Sequence, residues 1–282
     1  MDLLQQLSSR LVPWAIDVGR LGLWLALLAA LFVPLERYFG TRHTARPNVD
    51  RWHDIAYYFI SNLLPALLLS IPLALAATVL QHVTPAALPA AVAALPMPAR
   101  LGLAFVVGEI GFYWGHRMTH RVPYLWRYHA VHHAAEPMSF LANTRNHPID
   151  MVFTRLCGLL PLLVLGLAGP SATGSTMPVA LLLIGTVWGF FIHANLRWRF
   201  GPLEWLVATP AFHHWHHSRN DHIDHNFAST LPVLDRLFGT HYLPSHWPAE
   251  VGLRAPLAPT LTAQLLDPVL PPKATRRVNA GS

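Results

Sequence analysis

Thiols are nearly absent from this sequence, with Cys157 the single cysteine in 282 residues. That excludes a disulfide scaffold, a four-thiolate iron–sulfur cluster within the chain and a cysteine-type zinc site. Charge is scarce as well. Asp, Glu, Lys and Arg make up 12% of the chain, where a soluble domain carries about 25%. An ordinary soluble enzyme is therefore a poor description. The 20 Lys+Arg against 14 Asp+Glu leave a formal charge of +6. Most of these cations are arginines scattered between apolar runs, with no basic stripe or reading helix, so no nucleic-acid partner is expected. Several motifs are missing too. There is no GxGxxG dinucleotide fingerprint, no HPGG haem-binding signature and no HExxH; in His116-Arg-Met-Thr-His120 an arginine, Arg117, stands where the general-base Glu would be.

What the chain has instead is apolar length, 53% hydrophobic residues in all. No Asp, Glu, Lys or Arg occurs from Ile55 to Ala99. The part from Ile55 to Leu80 is long enough to cross a bilayer, which takes about 20 apolar residues. Gln81–Ala99 reads as an extramembrane turn. A second uncharged run, Leu156–Leu196, is broken by Gly169, Pro170 and Gly174 and reads as a hairpin of two shortish helices, Leu156–Ala168 and Met177–Ile192. Leu21–Leu35 and Leu101–Gly115, the latter interrupted by Glu109, are shorter spans. Nothing at the N-terminus resembles a cleaved signal peptide. The expected fold is all-α: an integral, multi-pass membrane protein with four or five membrane helices. Residues 1–100 form N-terminal helices and loops, 101–248 a central domain that includes the hairpin at 156–192, and 249–282 a tail. Its Ala255–Ser282 part reads as a peripheral or partly disordered segment. Arginines crowd the loops 36–54 and 117–155 and follow the hairpin at Arg197 and Arg199, while the two neutral loops fall on the other side. The positive-inside rule makes the arginine-rich face cytoplasmic.

The composition holds one conspicuous excess, 18 histidines. Five lie between His116 and His133, and four between His213 and His217. Both groups directly follow apolar segments on the arginine-rich face. His116 and His120 are four apart, so on a helix both imidazoles lie on one face, within reach of one ion. His129 with His132 and His133 forms an HxxHH pattern, and His213 with His216 and His217 forms another. One first-row ion takes four to six ligands, so eight clustered imidazoles point to two ions. Imidazole suits Zn, Cu, Fe and Ni. The Glu-x-x-His ligands of soluble di-iron bundles are missing. Among the options left, iron-dependent oxygen chemistry leads.

Several strings then carry a resemblance: HRMTH at 116–120, LWRYHAVHH at 125–133, RNHPID at 145–150, HANL at 193–196, FGPLEW at 200–205 and PAFHHWHHS at 210–218. DHNF at 224–227 and LPVLDRLFGT at 231–240 extend it. Over about Phe105 to Tyr242 the chain resembles the fatty acid hydroxylase/sterol desaturase superfamily of integral-membrane di-iron enzymes. The resemblance implies membrane helices capped by a cytosolic, histidine-rich helical domain. It implies two iron ions, O2 as co-substrate, and hydroxylation or desaturation of a lipid C–H bond. It implies that His116, His120, His129, His132, His133, His213, His216 and His217 are metal ligands, with His147 and His193 as further ligands or supporting groups. Asp150, Asp224, His214 and His225, with Glu136 and Asp221, are candidates to hold ligand rings from behind. Electrons must come from a separate ferredoxin-, flavoprotein- or cytochrome-type donor. The arginines at 117, 121 and 127 read first as membrane-surface charge.

Other readings compete. A histidine-rich Zn or Cu transporter would place ligands near the bilayer midplane, whereas these clusters follow the apolar segments. A metal-stabilised lipid-binding protein without turnover fits less well with intact ligand strings, and a metallohydrolase lacks its base. His43, His53, His82, His241 and His246 read as surface residues. Glu109, a carboxylate in an apolar segment, reads as an interior hydrogen-bonded group, a partner of Arg117 or a channel residue.

Overall fold

The computed structural model describes residues 3–40, 51–168, 177–219 and 222–271. Among these the chain is helical, with no strand and one isolated bridge between Ser218 and Val251. The helices are α1 (Leu3–Phe39), α2 (Arg51–Val83), α3 (Ala87–Ala93), α4 (Met97–Arg121), α5 (Pro123–His133), α6 (Pro148–Val164), α7 (Met177–His193), α8 (Pro210–His216), α9 (Val233–Leu237) and α10 (Leu261–Leu266). Short 3-10 turns at Phe140–Thr144 and Gly201–Trp205 join them.

Two helical stretches, Val12–Phe39 and Arg51–Val83, are long and apolar enough to cross a membrane. Only 11% and 6% of their most apolar windows are buried in the protein. A soluble core helix hides its apolar side chains; here Leu23, Leu67 and Ile71 stand exposed, as a lipid-facing surface requires. The first helix runs well beyond the expected Leu21–Leu35. The turn expected over Gln81–Ala99 holds α3 and the start of α4. The two hairpin helices, 17 residues each, reach about 25 Å, short of the roughly 30 Å hydrocarbon core. Their connecting turn lies outside the described residues, as do His43 and Asp221.

Proline sets several helix starts. Pro123, Pro148 and Pro210 open α5, α6 and α8. At that position the missing N–H costs nothing and the ring fixes a helical φ. Thr209 caps α8 by accepting from the Phe212 N–H. His147 caps α6 in the same way, its Nδ1 accepting from Ile149 N–H at 3.2 Å.

The tightest helix crossing lies between α4 and α6. A Cβ at Gly111 would sit 2.2 Å from the Cys157 carbonyl oxygen, and one at Gly115 would sit 2.6 Å from the Cys157 Cβ. Only glycine admits this approach, and it sets α6 directly behind the histidine-bearing end of α4. On the other flank, Leu28, Phe32, Tyr58, Phe140 and Phe190 form a core joining α1, α2 and α7. Polar ties fix the loops to this frame. Glu36 accepts from the backbone N–H groups of Phe140 (2.7 Å) and Asn195 (3.1 Å). Arg145 is fully buried and pairs with Asp54 at 3.0 Å. Breaking a buried pair strands a charge and costs about 3–5 kcal/mol, so the pair pins the 140–147 segment onto α2.

The segment expected to be peripheral or partly disordered is described only as far as residue 271. Up to residue 271 it folds back on α5 and the start of α6: His147 Nε2 donates to the Leu265 carbonyl at 2.9 Å, and Arg127 donates to the carbonyls of Asp267 (3.2 Å) and Leu270. Composition could not foresee this, because the tail is held by side chains that reach it from α5 and the start of α6.

Candidate metal centre

Nine histidines converge where α4, α5, α7 and α8 end together. They form two groups: His116, His120, His129, His133 and His216, and His132, His193, His213 and His217. Within each group the ligand-capable nitrogens lie within 4.8 Å of one another. Helix periodicity explains the division. On α5, His129 and His133 are one turn apart and serve the first group, while His132 points to the second. On α8 the assignment reverses: His213 and His217 serve the second group and His216 the first. Each HxxHH therefore supplies a pair to one group and a single imidazole to the other.

Four rings, those of His116, His129, His193 and His216, are held from behind through Nδ1. His116 donates to the Phe227 carbonyl (2.7 Å), His216 to the His225 carbonyl (2.8 Å), and His193 to the Gly189 carbonyl (2.7 Å). The His129 Nδ1 faces Asp150 Oδ2 at 3.0 Å, and the His120 Nδ1 lies 3.3 Å from Asp224 Oδ1. A neutral imidazole with its proton on Nδ1 presents a bare lone pair at Nε2. The Nε2 atoms face each other across both groups. His116 Nε2 lies 3.2 Å from His129 Nε2, and His193 Nε2 lies 3.2 Å from His132 Nε2 and 2.8 Å from His213 Nε2. His216 Nε2 is buried with no hydrogen-bond partner.

Protons do not relieve this crowding. Burial, reinforced by neighbouring imidazoles, holds His116, His120, His132, His133, His213 and His217 well below the usual imidazole range. Burial likewise pushes His193 and His216 down to about 3. Converging neutral lone pairs in a dry interior repel one another unless a cation sits among them. Imidazole nitrogens bound at about 2.1 Å and at right angles would lie about 3.0 Å apart, close to the spacing observed. The donor set fits two metal ions that accept nitrogen.

The other expected residues divide. Asp150 and Asp224 stand behind His129 and His120. His225 contributes only its backbone carbonyl. His214 lies outside both groups and meets the Ala194 carbonyl through Nε2 at 3.1 Å, steadying the residue after His193. His147 is also outside both groups, with its two ring nitrogens engaged by Ile149 N–H and the Leu265 carbonyl; its NHP string marks a helix cap. Glu136 pairs with Arg219 instead.

Three carboxylates behind the site carry more than their spacing revealed. Asp235 accepts from the N–H groups of Phe227 (2.7 Å) and Ala228 (2.9 Å) and from the Thr240 hydroxyl (2.7 Å). Burial raises its carboxyl to about 6. It thereby fixes the Phe227 carbonyl that orients His116. Glu109 accepts from Ser229 Oγ (2.7 Å) and the N–H groups of Thr230 (2.9 Å) and Leu231 (3.3 Å). Arg117 does not pair with it but donates to the Tyr113 hydroxyl and the Phe238 carbonyl. Glu36, unremarked in the sequence, ties the loops following His133 and His193 to α1. The one signal available was that each carboxylate lies in or beside an apolar run.

A family model described as fatty acid hydroxylase matches residues 101–240. Among curated relatives, the ornithine lipid hydroxylase OlsE of Rhizobium tropici is 34% identical over 178 residues, 61% of this chain and 51% of the relative. An alkylglycerol monooxygenase of Xenopus tropicalis is 35% identical over 161 residues, 55% of this chain and 33% of the relative. The very-long-chain aldehyde decarbonylase GL1-11 of Oryza sativa subsp. indica is 30% identical over 139 residues, 48% of this chain and 50% of the relative. The chain thus spans between a third and a half of these relatives' length. No solved structure matches it.

Proposed function

Because the chain belongs to the fatty acid hydroxylase family through residues 101–240, we propose that it is a membrane-bound, O2-dependent oxidoreductase that hydroxylates or desaturates a C–H bond of a lipid. One observation carries this reading: nine histidines in adjacent groups of five and four, eight of them buried, their ligand-capable nitrogens drawn together. The names of the relatives, a lipid hydroxylase and a lipid monooxygenase among them, support the substrate class and the use of oxygen.

His116, His120, His129, His133 and His216 would hold one iron ion, and His132, His193, His213 and His217 the other. When bound, the iron pair supplies the chemistry that activates O2 toward an unactivated C–H bond. The protein's part is positional. Asp150, Asp224 and the carbonyls of Gly189, His225 and Phe227 fix ring orientation and tautomer. The close-packed rings keep water from the ligand nitrogens. The apolar segments support a count of four or five membrane crossings, α1 and α2 being the two long enough by themselves, and the arginine distribution supports a cytoplasmic face for the histidines. Reducing equivalents come from a separate donor.

Metal content and O2 uptake of the detergent-purified protein, beside His132→Ala and His216→Ala, test the reading. About two irons per chain, with reductant- and lipid-dependent O2 uptake that both variants lose, is the expected result. Zinc or copper without O2 uptake would sink it and favour a transporter or a structural metal site. Mass spectrometry of the lipid product, for a gain of one oxygen or a loss of two hydrogens, separates hydroxylation from desaturation.

A further inference from the structure

A cavity of about 670 Å³ lies between α1, the start of α2 and the segment 137–141. This is within the range of about 300–1,000 Å³ that small-molecule sites occupy. Its two ends differ in chemistry. Along α1 it is walled by Gly22, Leu25, Ala26, Ala29 and Val33, a face of small and apolar residues. From Gly22 to Val33 that wall runs about 16 Å, the length of an extended acyl segment. The opposite end holds Glu36, Arg37 and Arg51. The Glu36 carboxylate is occupied by the amides of Phe140 and Asn195. Neither guanidinium makes a hydrogen bond or an ion pair among the described residues. Two cations against one engaged carboxylate leave net positive charge at the mouth of an apolar trough.

We propose that this cavity binds a lipid, its anionic headgroup, phosphate or carboxylate, held by Arg37 and Arg51 and its acyl chain laid along the Gly22–Val33 face of α1. Chain connectivity links the polar end to the histidine groups. Asn195, which lines it, is two residues beyond His193, and Phe140 lies seven beyond His133. As the substrate's site the cavity rests on the oxygenase reading above; as a lipid site it rests on its shape and charge alone.

Native mass spectrometry of the full chain in detergent tests this with three lipids of one acyl chain: a lysophosphatidic acid, a free fatty acid and a monoacylglycerol. Both anionic lipids are expected to bind about tenfold or more tightly than the neutral one, and the tighter of the two names the headgroup. Arg37→Gln and Arg51→Gln, at exposed positions, should each weaken anionic binding about fivefold and leave the neutral lipid unchanged. Gly22→Leu should weaken all three; a Cβ there meets nothing within 4 Å, so the larger side chain fills only the cavity. Equal binding of neutral and anionic lipids, unchanged affinity in the arginine variants, or no effect of Gly22→Leu would each overturn the proposal. Failure of the two readings is separable. A chain without iron or O2 uptake that keeps the anionic preference leaves the lipid site standing. Iron and O2 uptake without that preference removes this site alone.

Discussion

The crossing of α4 and α6 makes a demanding prediction at Gly111. An ordinary carbon contact begins at about 3.4 Å, and a Cβ at residue 111 would sit 2.2 Å from the Cys157 carbonyl oxygen and 3.0 Å from the Gly158 Cα. Gly111→Ala must therefore part the helices by about 1.2 Å. The obstacle is backbone on a helix, which cannot rotate aside as a side chain would. Overpacking of this kind costs about 1–3 kcal/mol, and a backbone obstacle puts it at the upper end. The displacement also reaches the metal centre. Asp150 sits on the first turn of α6 and faces His129 Nδ1 at 3.0 Å. Moved by about 1.2 Å it no longer hydrogen-bonds, since such bonds lie within about 3.2 Å. Gly111→Ala is thus expected to lower the melting temperature and the bound iron together. Gly108→Ala, whose Cβ would meet Leu162 Cδ1 at an ordinary 3.7 Å, should leave both unchanged. Gly115→Ala clashes with the Cys157 side chain at 2.6 Å (Cβ) and 3.0 Å (Sγ), so Cys157→Gly should partly rescue it. Differential scanning fluorimetry with metal analysis reads all of these. Wild-type stability and iron content in Gly111→Ala would refute the account of the crossing.

Three further outcomes follow from the site. Asp150→Ala leaves His129 Nδ1 without its acceptor and should weaken iron binding or activity about 10- to 100-fold; titration of the metal-free protein with Fe(II) reads it, and unchanged affinity would count against the role of Asp150. His193→Ala should lose iron, whereas His147→Ala should keep it while destabilising the start of α6 and the 261–271 segment; equal iron loss in both would place His147 in the centre after all. In the metal-free fold, burial pushes His193 and His216 down to about 3 and His214 down to about 4, while unfolded imidazoles protonate near 6.5. The unfolded chain then binds the extra protons below about pH 6.5, so stability is full above that pH and falls as the medium is acidified. These three histidines should together cost roughly 4 kcal/mol by pH 5.5, and a melting temperature flat between pH 7.5 and 5.5 would contradict their burial as neutral groups.

The sequence by itself determined the chemistry and most of its parts. The scarcity of charge and the apolar runs point to a membrane protein, and the missing thiols leave imidazole as the donor from which a metal site would be built. Spacings of three and four residues dictate which histidines share a helix face, because the helix repeat is a local property. Only the tertiary structure decided which imidazole serves which group, since that depends on how α4, α5, α7 and α8 converge. It decided that His193 joins the cluster and His147 caps a helix, although both lie in motif strings on the same side of the chain. It also brought Glu109, Asp235 and Glu36 to backbone amides up to 159 residues away. No spacing rule reaches that far, because such contacts come from glycine-tight helix crossings and the return of the C-terminal loops onto them. The same convergence leaves an apolar trough beside Arg37 and Arg51, residues that in sequence read only as charge flanking a membrane helix.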